Sequence, residues 1–119
     1  MSRVLIVDDS AYMRTTMRDV LVDNGHKIVG EVGEGTHVLK FIKETTPDIL
    51  LLDIILPGLI GLDIIKIVKS SYPDIKIIIV SVLEDLSIQN EAMGSGASAY
   101  IIKPVTEKLL NNAIYACLN

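Results

Sequence analysis

Five short apolar runs, near residues 3–8, 27–33, 48–53, 75–80 and 98–102, punctuate the chain, and a stretch of helical periodicity lies between each pair. Val4–Val7, Ile49–Leu52 and Ile77–Val80 are unbroken. A strand with one wet face alternates apolar and polar residues, so an unbroken run must be covered on both faces, as in a parallel sheet sandwiched between helices. Each intervening stretch is long enough for a crossover helix, the connection that parallel neighbours need. The alternation predicts one doubly wound α/β domain of (βα)5 type over residues 1–119, whose ligands would bind beyond the carboxyl ends of the strands, where the strand order reverses.

The helical stretches carry apolar stripes at spacings of three and four. Met13, Met17, Val20 and Leu21 form one near 10–24; Val38, Leu39 and Ile42 another near 35–45; Ile64, Ile65 and Val68 a third near 62–71. These stripes read as core. The fourth helix, near 85–95, is expected to be the weakest and most mobile, because Asp85, Ser87, Gln89, Asn90 and Glu91 make it polar and Gly94 and Gly96 close it. The last follows Pro104, with Thr106 as its cap, and is expected to bury Leu109, Leu110, Ala113, Ile114 and Cys117.

Three acids end two of the runs: Asp8 and Asp9 follow Val4–Val7, and Asp53 follows Ile49–Leu52. If the runs are neighbouring buried strands, the acids meet at one sheet edge, and Lys103 arrives there from the end of Ala99–Ile102. Like charges at the lip of an apolar core repel and resist desolvation, so the arrangement calls for a compensating cation. Oxygen-only ligands with no Cys or His beside them favour Mg2+, with Mn2+ as the substitute. Each acid alone has a structural explanation: Asp9 or Ser10 could cap the next helix, and Asp53 could end a strand before the Pro57-Gly58 turn. Capping does not account for acids at two strand ends together with a lysine at a third.

Asp8-Asp9, then Asp53 with Leu56-Pro57 and Gly61, then Ser81, then Lys103-Pro104 resemble, in this order, the signature of the receiver domain of two-component response regulators. The opening segment Val4–Arg14 is similar to chemotaxis-type receivers, both CheY-like single domains and those attached to methylesterases. The resemblance implies the flavodoxin-like, CheY-like strand order 2-1-3-4-5. It implies that Asp53 is the nucleophile that takes a phosphoryl group from a histidine kinase. It further implies Mg2+ held by Asp9, Asp53 and the backbone carbonyl of Ile55, with Asp8 acting through water, and Lys103, after a cis Lys-Pro bond, pairing with a phosphoryl oxygen. Ser81 and Tyr100 would form the switch. The fourth helix, fifth strand and fifth helix would bind the downstream target, in a monomer or a phosphorylation-dependent dimer. The protein would be a signalling phosphoacceptor, not an enzyme with turnover on an external substrate.

The chain departs from many receivers at the positions flanking the acid site. Ile55, Val82 and Leu83 stand where polar residues often hold the attacking water, and Leu59 and Ile60 extend this apolar rim. Either the rim is exposed, predicting a long-lived phosphorylated state, or its side chains tuck into the core. A flavodoxin would need a nest of backbone amides for phosphate where this chain has Asp8-Asp9-Ser10, and Trp, a common flavin-stacking residue, is absent. A receiver-like binding module that has lost phosphorylation would not need the full set of Asp9, Asp53, Ser81 and Lys103.

Composition agrees with one ordinary core: half the 119 residues are hydrophobic. The single Cys117 excludes an internal disulfide and reads as a small core residue. A net charge of -4 offers no basic surface for nucleic acid. Mean hydropathy is high, at +0.45, but polar residues interrupt every apolar run well before the ~20 residues that span a bilayer. Met1-Ser-Arg leads straight into a strand, so the expected location is the cytoplasm, without a membrane partner. His26 and His37, without acid or thiol neighbours in sequence, are expected at the surface. The alternative to a single-domain protein is the N-terminal receiver of a larger transcription factor or methylesterase.

Overall fold

The computed structural model describes residues 2–57 and 61–118, so the expected apolar contribution of Leu59 and Ile60 lies outside the described residues. The strands are β1 (Arg3–Val7), β2 (Lys27–Val32), β3 (Ile49–Leu52), β4 (Lys76–Ser81) and β5 (Ala99–Ile102). The helices are α1 (Ala11–Asp23), α2 (Val38–Thr45), α3 (Gly61–Ser71), α4 (Leu86–Gly94) and α5 (Glu107–Leu118), with a 3-10 turn at Gly35–His37 before α2. The strands form one parallel sheet in the order β2-β1-β3-β4-β5, as the resemblance implied.

Side chains alternate across a strand, and here successive residues feed two different cores. Leu5, Val7, Leu50, Leu52, Ile77 and Ile79 pack with residues of α2, α3 and α4. Val4, Ile6, Ile49, Leu51, Ile78 and Val80 pack with Met17 and Leu21 of α1 and Leu110 and Ile114 of α5. That is why β1, β3 and β4 carry no polar interruption in these stretches: neither face meets water.

Edge strand β2 is more polar and half-exposed, and its register with β1 shifts between Val4 and Leu5. Gly30 sits at that irregularity because a Cβ there would come within 2.9 Å of Leu5 and 3.1 Å of Phe41.

Helix starts follow the expected chemistry. The Ser10 hydroxyl accepts from the Met13 amide at 3.2 Å, Asp85 caps α4 through the Ser87 amide at 2.8 Å, and Thr106 accepts from Leu109 N at 3.1 Å. Those caps include α4, the helix expected to be weakest, which buries Ala92.

Two expectations need correction. Leu109 is 47% exposed: the buried stripe of α5 is Leu110 and Ile114, flanked by Ala113 and Cys117, and Leu109 lies one helical step off that face. His26 is half-buried, and its Nδ1 accepts from the Ser2 amide at 3.3 Å. His37 is exposed as expected.

Candidate functional site

The chain runs from β1 outward to β2 and then returns past β1 to β3, so the loops leaving β1 and β3 turn opposite ways and leave a crevice between them. Asp8 follows β1 and Asp53 follows β3. The two strands are paired in register, Val7 opposite Leu52, which brings the acids side by side. One oxygen each of Asp8, Asp9 and Asp53 lies within 4.8 Å of the others. Asp8 is fully buried, Asp53 nearly so, and Asp9 is exposed.

The buried acids are held by short local bonds. Asp8 Oδ1 accepts from the Ser10 amide and Asp53 Oδ1 from the Ile55 amide, both at 2.9 Å. Their second oxygens share one cation: Lys103 Nζ lies 2.8 Å from Asp8 Oδ2 and 3.0 Å from Asp53 Oδ2. Lys103 comes from the far side of β4, and its amide donates to the Ser81 carbonyl at 2.8 Å. The Lys103-Pro104 bond is cis. The long flexible stem of lysine lets one ammonium bridge both acids.

Burial raises the Asp53 pKa above its ordinary 3.8; the Ile55 amide and Lys103 pull it back, and neighbouring Asp8 adds to the rise. For Lys103 burial acts downward, but the bonds and charges of Asp8 and Asp53 outweigh it and hold the ammonium above 10.5. The two directions look inconsistent for one ion pair. They reconcile because Asp53 is desolvated and repelled by Asp8, whereas Lys103 meets two acids at once. With all three acids ionised, a single lysine leaves two negative charges uncompensated. The donor set is oxygen only, partly open on the Asp9 side, and fits a hard divalent cation.

Around this cluster the other sequence-predicted residues fall as follows. Ser81 is buried at the end of β4, and its Oγ accepts from the Leu83 amide at 3.3 Å. Tyr100, in β5, is half-buried and packs against the core of α2, α3 and α4, with its hydroxyl donating to the Leu83 carbonyl. Ile55 and Val82 are 48% and 59% exposed, so neither tucks into the core; Leu83 is half-buried.

Arg14 was not singled out by sequence. Its Nη1 donates to the Asp8 carbonyl at 2.6 Å. In the sequence it is only a polar position of α1, and nothing local points to the Asp8 backbone. The β3–α3 connection is also tied to the next layer, since Gly35 N donates to the Pro57 carbonyl at 2.8 Å.

A parallel sheet of order 2-1-3-4-5 with three acids and a lysine gathered at its reversal point defines a class, the receivers of two-component signalling. The chain belongs to the response regulator receiver domain family, whose profile matches residues 4–115. The chemotaxis protein CheY of Bacillus subtilis is 35% identical over 117 residues, 98% of each chain. CheY of Thermotoga maritima is 38% identical over 102 residues, 86% of this chain and 85% of that one. The crystal structure of the response regulator domain of Thermotoga maritima CheB superposes with a TM-score of 0.86 at 31% identity, covering 98% of this chain and 96% of that one. Among the described residues no helix is long and apolar enough to cross a membrane.

Proposed function

We propose that the protein is a phosphoacceptor response regulator in which Asp53 takes a phosphoryl group from a phosphohistidine of a partner kinase. The observation that carries this reading is the convergence of Asp8, Asp9 and Asp53 on one point, with Lys103 bridging the two buried acids. An Asp53 oxygen attacks phosphorus, the phosphorus–nitrogen bond breaks with its electron pair going to the histidine nitrogen, which takes up a proton from solvent, and an aspartyl phosphate forms.

Asp9, Asp53 and the Ile55 carbonyl would hold Mg2+ directly and Asp8 through water. The cation, when bound, neutralises charge on the transferring group. Lys103, freed from Asp53 as that oxygen becomes esterified, turns its ammonium to a phosphoryl oxygen. Ser81 turns its hydroxyl the same way and lets go of the Leu83 amide. Leu83 is also the residue that Tyr100 holds, so the change passes to β5. The surface of α4, β5 and α5 then binds a downstream protein.

The B. subtilis CheY match over nearly the full length of both chains supports a chemotaxis-like receiver. The CheB match, to the response regulator domain of that protein, fits equally the second reading, a receiver belonging to a larger protein.

The test is labelling with acetyl phosphate. The wild type should take up one acid-labile phosphate in Mg2+, and Asp53→Asn or chelation should abolish it. Labelling that survives either change would refute the proposal.

A further inference from the structure

Asp8 carries two site functions at once: a buried carboxylate, and the backbone from which exposed Asp9 projects. Its main chain is gripped at both ends. Asp8 N donates to the Val32 carbonyl of β2 at 3.0 Å, and the Asp8 carbonyl accepts from Arg14 Nη1 at 2.6 Å. Arg14 is itself anchored, its Nε 3.6 Å from Glu31 of β2, and Glu31 also receives Arg18 Nη1 at 2.9 Å. Gly33 makes room for the guanidinium, since a Cβ there would sit 3.3 Å from Nη1. The Arg14 side chain is only 21% exposed, whereas that of Arg18 is 44% exposed and has no described bond to Asp8. One planar fork thus joins β2, α1 and the loop that carries two of the three acids.

We propose that Arg14 is a positioning residue for the cation site, its guanidinium holding the Asp8 carbonyl so that the Asp8 and Asp9 carboxylates keep the direction in which they converge with Asp53. This rests on the cation reading given above. The orientation of Asp9 depends on the backbone torsions at Asp8 and Asp9, because none of the described side-chain bonds holds its carboxylate. Charge and position act with opposite sign here. Arg14 is a cation near an acid cluster, so by Coulomb's law alone its removal should tighten Mg2+ binding. If it positions the acids, its removal weakens binding, as loss of partners that orient metal ligands does, typically by about tenfold to a hundredfold.

The experiment is an Mg2+ titration of the 15N-labelled protein, followed through the amide signals of Asp9, Ser10 and Ile55. Wild type is compared with Asp9→Asn, Arg14→Gln, Arg14→Lys and Arg18→Gln. Arg14→Gln should bind about tenfold more weakly. Arg14→Lys keeps the charge but replaces the planar fork, whose Nη1 and Nε face Asp8 and Glu31 separately, with a single ammonium on a more flexible stem, and should also bind more weakly than wild type. Arg18→Gln should stay within about twofold of wild type, since Arg18 lacks the bond to Asp8.

Unchanged or tighter binding by Arg14→Gln would overturn the inference, as would an equal loss in Arg18→Gln. If the strand amides show that Arg14→Gln does not fold, Arg14→Lys decides in the same way: weaker binding supports the inference and wild-type affinity refutes it. Absence of saturable shifts in the wild type, or wild-type affinity in Asp9→Asn, would instead overturn the cation reading and the inference with it.

Discussion

The Tyr100 hydroxyl donates to the Leu83 carbonyl at 2.8 Å, seventeen residues away in sequence, while the amide of the same Leu83 is bound by Ser81 Oγ at 3.3 Å. One peptide segment between β4 and α4 is therefore held from the acid site on one side and from β5 on the other. If this segment transmits the signal, Ser81→Ala and Lys103→Ala should still accept phosphate on Asp53 but transmit it poorly. In wild type, phosphorylation should shift amide signals through Ala99–Ile102 and α4. Tyr100→Phe, which removes the hydroxyl that bonds Leu83 and meets Ser81, should keep the shifts near Asp53 and lose those in β5. Undiminished β5 shifts in all three variants would contradict this route.

The phosphorylated state should be long-lived. Hydrolysis needs a water in line with the phosphorus–oxygen bond, and the exposed side chains of Ile55 and Val82 offer it no hydrogen-bond partner. One lost positioning contact is worth about 1–3 kcal/mol, roughly tenfold to a hundredfold in rate. Ile55→Asn and Leu83→Glu should therefore lose phosphate faster than wild type by a factor in that range, measured by decay of labelled protein after the donor is removed. Equal decay rates would leave the dry rim without a role in lifetime.

Asp53 should destabilise the cation-free protein. Its pKa is raised on folding, chiefly by burial, so the native state binds protons more readily than the unfolded chain. The sign follows: native stability falls as pH rises from the ordinary carboxylate value of 3.8 through the higher native value. In chelator at pH 7, Asp53→Asn should melt higher than wild type, by about a few degrees. Added Mg2+ should raise the wild-type midpoint and affect the variant much less. Lys103 works the other way: its stabilisation persists through neutral pH and is lost only above pH 10.5, as its raised native pKa is crossed.

His26 should make stability fall on mild acidification. Burial, then the positive chain terminus, lowers its pKa below 6.5, and the neutral ring accepts from the Ser2 amide. A depressed histidine pKa gives stability that is present above pH 6.5 and is lost as pH falls from there through the native value. Denaturant midpoints measured at pH 7 and pH 5 should differ less in His26→Gln than in wild type. An unchanged difference would mean that other groups carry the acid sensitivity.

By itself the sequence determined which strand runs are covered on both faces and where the acids sit along the chain. Period is local, so Ile49–Leu52 and Ile77–Val80 announce strands covered on both sides, and Asp8, Asp9 and Asp53 are legible as strand-end acids before any contact is known. Caps are local too, which is why Ser10 and Thr106 fall where the composition points. The order of the strands came from likeness to a family and not from periodicity.

Tertiary structure decided what a side chain meets across the fold. That Lys103 ties Asp8 to Asp53, that Arg14 reaches the Asp8 carbonyl and that Tyr100 reaches Leu83 all depend on which strands are neighbours and how their loops curl. Exposure is decided the same way. Leu109 and Leu110 look alike in sequence, yet α5 docks on Leu110 and Ile114 and leaves Leu109 in water; His26 looks like a loop residue, yet the Ser2 amide closes on it. Sequence fixes the chemistry and spacing of each group along the chain, whereas a partner dozens of residues away is set by the packing of the whole sheet between its two layers of helices.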